Sequence, residues 1–394
     1  MTPSSLKPHY QRFLKGHEGW IHLAAHSHHF WPDVSREAHL RYWDDCSVLS
    51  DRKWEKIFSD VIPESQKIIA EILNLKDSEQ IIFAPNTHEL ATRVLSTFLG
   101  RKSLRVLTTT GEFHSWSRQL RRLEELPGVE VIRIEADLLR TDRDQFLSQL
   151  KTILEEGVDL FYISQVFFDS GSALSIPELT KLQGSAGPEC LVLIDGYHGF
   201  CALPTDLEGL EGKVFYLAGG YKYAQAGEGA CFMVIPKKPM RPAYTGWFAQ
   251  MGSLAQKGSE LVGYPAGADA FWGSTQDLSG LYRFNAVWAH LKALGWGVEK
   301  IHQKIQGLQA KFIADFPQEI LKSWKLEPLF ENTLQNQGHF LTFRLPDADK
   351  AKEFHDFLKS RKILVDYRGD RVRFGFGTYL DEEDVLSALD LIRK

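Results

Sequence analysis

The chain has 394 residues, 43% hydrophobic and 12% aromatic with ten Trp, which supplies at least one large core and excludes a disordered polypeptide. Its 46 basic and 51 acidic residues leave a formal net charge of -5, too mild to draw nucleic acid or an anionic membrane surface. Four cysteines without a CxxC pair, no apolar leader after Met1 and no run of about eighteen apolar residues point to a cytoplasmic enzyme with neither a membrane nor a nucleic-acid partner.

From about residue 60, helical and strand periods alternate. Pro63 to Leu75 puts Ile68, Ile69, Ile72 and Leu73 on one helical face, and the short apolar strand Ile81-Ile82-Phe83 follows. A helical pattern through Leu90, Val94 and Leu95, a strand near Arg105 to Thr109 and a basic helix from Ser115 to Leu126 come next. Further strands are expected at Val129 to Ile134, Leu160 to Ser164, Leu191 to Ile194 and Val214 to Leu217. Continuous apolar strands between amphipathic helices predict an α/β fold with a mostly parallel sheet covered on both faces. Arg241 to Gly280, rich in Gly, Pro and aromatics, reads as a long structured loop. A helix then starts near Leu281 and runs to the Gly295-Trp296-Gly297 interruption. The last hundred residues read helix, strand (His339 to Leu345), helix (Asp349 to Ser360), strands (Ile363 to Asp366, Val372 to Phe374) and helix (Glu382 to Ile392), a smaller α+β domain.

The chemistry concentrates in two stretches. In CLVLIDGYHGF (190–200) an apolar strand ends in Asp195, followed by His198. Ligands of parallel sheets bind beyond the carboxyl ends of strands, although Asp195 serves equally well as a turn cap. In KVFYLAGGYKYAQAGEG (213–229) a strand runs into Gly219-Gly220 and then Tyr221-Lys222-Tyr223. Those glycines permit close approach of backbone and ligand, and no GxxxxGK[ST] loop is present. An Asp on one strand end and a Lys on a later one suit pyridoxal 5'-phosphate (PLP). The lysine forms a Schiff base with the cofactor aldehyde, and the aspartate keeps the pyridine nitrogen protonated, so that the ring accepts electrons from the substrate.

These residues resemble the class V aminotransferase family, of PLP fold type I, and within it the kynureninases. The likeness lies in the DxxH of Asp195 to His198, in Tyr221-Lys222-Tyr223, in the YTGWF of residues 244–248 and in VDYRGDRVRFGFGTYLDEEDV (365–385). The resemblance implies a large PLP-binding domain (31–280), a small C-terminal domain (281–394) and an N-terminal segment (1–30) near the active-site mouth. Lys222 is then the catalytic residue. Asn86 and Thr87 form the phosphate loop, Phe113 stacks on the ring, Tyr221 bonds the phosphate, His198 lies near the cofactor and Trp247 forms a pocket wall. Ser274 and Thr275 reach the phosphate of a neighbouring subunit, implying a homodimer with shared sites. Arg373 grips the substrate α-carboxylate bidentately, with Arg368 and Arg371 as alternatives by register. The cluster His26, His28, His29 lacks supporting cysteines or HExxH spacing, so a substrate contact by His28 is preferred and no metal is expected.

The resemblance implies an enzyme acting on a free amino acid, with kynureninase-like hydrolytic Cβ–Cγ cleavage preferred. The alternatives are a class V aminotransferase and, less favoured, a degenerate PLP-binding protein. Desulfurases of this superfamily need a mobile late cysteine, and no Cys follows Cys231. Two departures touch substrate recognition. The kynureninase histidine after the first helix is missing from Ser47 to Trp54, and Thr275 stands where an asparagine is expected.

Overall fold

The computed structural model describes residues 5–253, 262–264, 267–330 and 333–394. Thirteen strands are present among them. In chain order they are β1 (Ile21–His22), β2 (Ile81–Ala84), β3 (Leu104–Thr109), β4 (Val129–Ile134), β5 (Leu160–Ser164), β6 (Leu191–Asp195), β7 (Phe215–Gly219), β8 (Cys231–Val234), β9 (Glu327–Pro328), β10 (Phe340–Arg344), β11 (Ile363–Leu364), β12 (Asp366–Arg368) and β13 (Arg371–Gly375).

Seven of them form the central sheet in the order β2-β8-β7-β6-β5-β3-β4. Only β8 runs antiparallel to its neighbours. The uninterrupted apolar runs explain this placement: β2, β5, β7 and β8 are buried at every position, because helices cover both faces. Each fully buried Phe or Leu, such as Phe83, Phe215 and Leu193, contributes about 1.5–3 kcal/mol. The mostly parallel sheet flanked by helices is the fold expected from the sequence.

The second sheet, β12-β13-β10-β9, is antiparallel and belongs to the C-terminal part. The sequence reads one strand over Ile363 to Asp366, but the chain changes sheet there. Residues 363 and 364 pair in parallel with β1, whereas Asp366 to Arg368 pair with β13. Val365, buried between them, marks the change. The N-terminal segment is thus fastened to the C-terminal part by β1–β11, and Ala24 bridges to Gly375. Gly375 is required for that approach, since a Cβ there would lie 2.1 Å from His26 Nδ1.

One long element has no apolar stripe to announce it. The helix Val34–Leu49 packs against the helix Ser279–Ala293, yet it buries only Ser35 and Ala38 and turns Leu40, Trp43 and Val48 outward. The helix Ser279–Ala293 also reaches the loop after Lys222. Arg283 donates to the carbonyls of Ala226 and Glu228, both at 2.6 Å. Of the long loop, residues 254–261 and 265–266 lie outside the described residues, and 3-10 turns occupy Trp247–Ser253 and Gly267–Phe271.

Several histidines are buried between the N-terminal segment and the rest of the chain. His22 bonds Tyr379 Oη at 2.6 Å, and burial pushes its pKa down to about 3. His29 donates from Nδ1 to the Phe30 carbonyl at 2.6 Å and accepts the Thr378 amide, and burial lowers it to about 4. His26, His198 and His339 are driven down in the same way. A histidine with a lowered folded pKa stabilises the protein above its unfolded value of about 6.5 and loses that contribution as pH falls. The melting temperature is therefore expected to fall steadily from pH 7 to pH 4, and His29→Gln, which can keep both hydrogen bonds, should show a shallower fall by calorimetry.

Candidate active site

The carboxyl edge of the central sheet collects the chemistry-bearing residues. Cys231 of β8 lies opposite both Ala84 and Gly219, so the turns carrying Asn86-Thr87 and Gly220-Lys222 leave from the same edge. Gly219 is needed there, because a Cβ would meet Cys231 Sγ at 2.6 Å and the Tyr197 ring at 2.7 Å. Asp195 ends β6, next to β7 in the sheet. Its Oδ2 accepts from Tyr162 Oη at 2.7 Å, and its Oδ1 accepts from the Tyr197 amide at 2.9 Å. Burial pushes the Asp195 carboxyl upward, and both hydrogen bonds and the Lys222 charge pull it back.

Lys222 donates to the His26 carbonyl at 2.5 Å and lies 5.9 Å from the Tyr197 ring centroid. Burial, helped by the Arg373 charge, pushes its pKa down to about 7, against the pull of Asp366 and Asp195. At neutral pH a large share of this lysine is free amine, the form that attacks a carbonyl.

Arg373 of β13 is only 4% exposed. It pairs with Asp366 across the β12–β13 ladder at 2.5 Å and donates to the Phe168 carbonyl. Its Nε has no partner among the described residues. The two register alternatives lie elsewhere: Arg371 is held by Asp169, Asp137 and Asp370, and Arg368 is exposed, 3.8 Å from Asp366.

The histidine cluster diverges rather than converging on one point. His26 stacks on Phe340 at 4.8 Å with neither ring nitrogen hydrogen-bonded, its Nε2 3.9 Å from Asp366 Oδ2, and it is His26, through its carbonyl, that touches Lys222. His28 sits edge-on to Tyr221 at 5.3 Å and stacks with Trp31 at 6.0 Å. Trp247, Ser274 and Thr275 form a separate exposed group. Trp247 Nε1 donates to Thr275 Oγ1 at 3.2 Å, and no hydrogen bond among the described residues joins the three to Lys222 or Asp195.

The residues fit the cofactor expected from the sequence. Asn86 caps the helix Thr87–Leu95, accepting the Glu89 amide at 2.9 Å, and the positive end of that helix lies at the same sheet edge, a place suited to an anion. His198 Nε2 is buried without a partner, a polar atom that a ligand would satisfy. Phe113, 45% exposed at the start of the helix His114–Leu123, stands edge-on to Phe168 at 5.6 Å. Sequence reasoning missed Tyr162, Tyr197, Asp366 and Phe168. Tyr162 and Phe168 look like ordinary core residues in the sequence, and the role of Asp366 depends on a strand pairing that no local pattern announces.

A model of the family described as aminotransferase class-V matches residues 45–387. The chain belongs to that family. No curated protein sequence matches it. Among solved structures, the cysteine desulfurase of Thermococcus onnurineus NA1 is similar with a TM-score of 0.78 and 18% identity, covering 100% of this chain and 98% of that one. A C-DES mutant with glycine covalently linked to its PLP cofactor has a TM-score of 0.81 and 16% identity, covering 97% and 98%. The Escherichia coli cysteine desulfurase CsdA gives 0.77 and 14%, covering 100% and 98%. At these identities the likeness establishes the fold, PLP fold type I. No described helix is long and apolar enough to cross a membrane.

Because Arg373 is buried, removing its counter-charge leaves a cation without compensation. Asp366→Ala is expected to destabilise the chain by about 3–5 kcal/mol in urea unfolding, while Arg368→Ala, at the exposed arginine, should change stability by less than about 1 kcal/mol.

Proposed function

We propose that this family member is a PLP-dependent enzyme acting on a free amino acid, with Lys222 as the residue that holds the cofactor aldehyde. The observation that carries the reading is the half-buried Lys222 amine, with a pKa of about 7, on the same sheet edge as the half-buried Asp195. In this reading residues 31–280 bind the cofactor, 281–394 supply the carboxylate arginine and 1–30 cover the mouth. Asp195 pairs with the ring nitrogen. Asn86, Thr87 and Tyr221 take the phosphate, Phe113 lies on the ring face and His198 offers Nε2 to a polar group nearby. Arg373 takes the substrate carboxylate, with His28 at the mouth. When bound, the cofactor supplies the electron sink for the pair left on the substrate. Lys222, whose pKa burial lowers to about 7, can take a proton from the substrate and return it. Ser274, Thr275 and Trp247 are exposed in one chain, which supports the expectation of a homodimer in which they complete the partner's site.

Kynureninase-like Cβ–Cγ hydrolysis is preferred on the motifs at Asp195 to His198 and Tyr221 to Tyr223. The family match supports the class V aminotransferase type and does not single out kynureninase chemistry, so aminotransfer is the second reading. A neighbouring structure is of a cystine C-S lyase with cysteine persulfide as its product, chemistry that also breaks a bond at the substrate β-carbon.

Borohydride treatment of the PLP-loaded protein should fix the cofactor on the peptide containing Lys222, as read by mass spectrometry. Lys222→Ala should take up no fixed label, and labelling of another lysine would sink the assignment. Incubation with kynurenine and 3-hydroxykynurenine is expected to release alanine. No alanine, but pyridoxamine phosphate with several amino acids, would establish the aminotransferase instead. Loading without turnover of any amino acid would leave the degenerate binding protein.

A further inference from the structure

Glu112 is a buried acid that the site so far has no use for. It is 2% exposed and lies in the turn between β3 and the helix His114–Leu123, one residue before Phe113. Its Oε1 accepts from Thr109 Oγ1 at 2.8 Å and from the Ser164 amide at 3.3 Å, and its Oε2 lies 2.5 Å from Ser164 Oγ. Its own carbonyl accepts Ser117 Oγ at 2.9 Å from the following helix. None of these partners is a cation, and the charge that acts on Glu112 is the like charge of Asp195. Ser164 stands directly opposite Asp195 in the β5–β6 ladder, and Tyr162, two residues earlier on β5, is the donor to Asp195. The groups that face Glu112 are thus Thr109 of β3, Ser164 and Tyr162 of β5 and Asp195 of β6.

Two carboxylates buried near each other cannot both ionise at low cost, so the one with no cation acting on it keeps the proton. Asp195 has a phenol, a backbone amide and the Lys222 charge on its side. Glu112 has hydroxyls and one amide, and burial pushes its pKa up to about 8. As a neutral acid it has a proton to give to Ser164 while it accepts from Thr109.

We propose that Glu112 is a positioning residue kept as a neutral acid, which ties the turn presenting Phe113 to the strand beside Asp195 and leaves Asp195 the sole anion beneath the cofactor ring. The second half rests on the PLP reading above. The tie joins the residue on the ring face to the residue at the ring nitrogen, so that the two hold one orientation. A second negative charge at Glu112 would drive Asp195 toward its protonated form and weaken its hold on the pyridine nitrogen.

The infrared difference between wild-type and Glu112→Gln apoprotein at pH 6.5 isolates this side chain. A protonated carboxyl band is expected, and a carboxylate band alone overturns the proposal whatever the cofactor does. In PLP-loaded protein, Glu112→Ala should raise the Kd for PLP about tenfold and lower the induced circular dichroism of the bound ring. Glu112→Gln, neutral and able to donate, should restore both. Equal loss in the Gln and Ala variants, or no loss in either, overturns the positioning role. If Glu112→Ala does not fold, Ser164→Ala cuts the same tie and must lower the circular dichroism signal for the role to stand. Failure of wild-type protein to take up PLP overturns the cofactor reading and the role toward the ring, while the infrared band reports the neutrality of Glu112 independently.

Discussion

The site is organised around a buried arginine and a half-buried lysine whose charges repel each other. Lys222 follows the central sheet, Arg373 sits in the C-terminal sheet, and the Arg373 charge helps to lower the lysine pKa. A cation withdrawn from water needs a counter-charge close by: Asp366 pairs directly with Arg373 and also acts on Lys222, joined there by Asp195 from β6. The balance differs between the two. Arginine keeps its charge in any protein environment, so the repulsion is relieved at the lysine, which gives up part of its protonation. The outcome is an amine ready to react at neutral pH, next to a guanidinium that remains charged for an anion.

The same constraint accounts for the N-terminal segment. The Lys222 ammonium needs an acceptor, and the His26 carbonyl supplies it. His26 is held there because β1 pairs with β11 and Gly375 lacks a side chain that would push it away. The histidines that fill this seam are neutral because burial and nearby positive groups remove their protons. Three parts of the chain, distant in sequence, therefore meet at one lysine, and the region is sensitive to acid for the reason that makes the lysine reactive.

The family is broader than any one reaction, and the cofactor proposed here serves many. What selects among them is the surrounding of the substrate side chain. In the reading proposed above that surrounding would include Phe168, which meets Phe113 and His114 edge-on at 5.6 and 5.2 Å, and Arg373, whose guanidinium lies 5.9 Å from the Phe168 ring. Of these, only Phe113 and Arg373 could be named from sequence motifs.

Much of the fold was legible without coordinates. The strand Leu160–Ser164 is legible to the residue because a strand buried on both faces is apolar throughout, and the half-exposed edge strand Val129–Ile134 because it is rich in Val and Ile. Val34–Leu49 was not legible, since a helix whose apolar residues face outward has no stripe to read. Lys222, Asp195 and Arg373 stood out because glycines, strand ends and family motifs mark them locally. Length, composition and charge already pointed to an enzyme-sized protein and carried no basic excess of the kind that draws nucleic acid. The roles of His26, Asp366, Tyr162 and Glu112 were decided only in three dimensions. Each depends on which strand lies beside which and on how deeply a charge is buried, and neither burial nor pairing across hundreds of residues is a property of a local stretch of sequence.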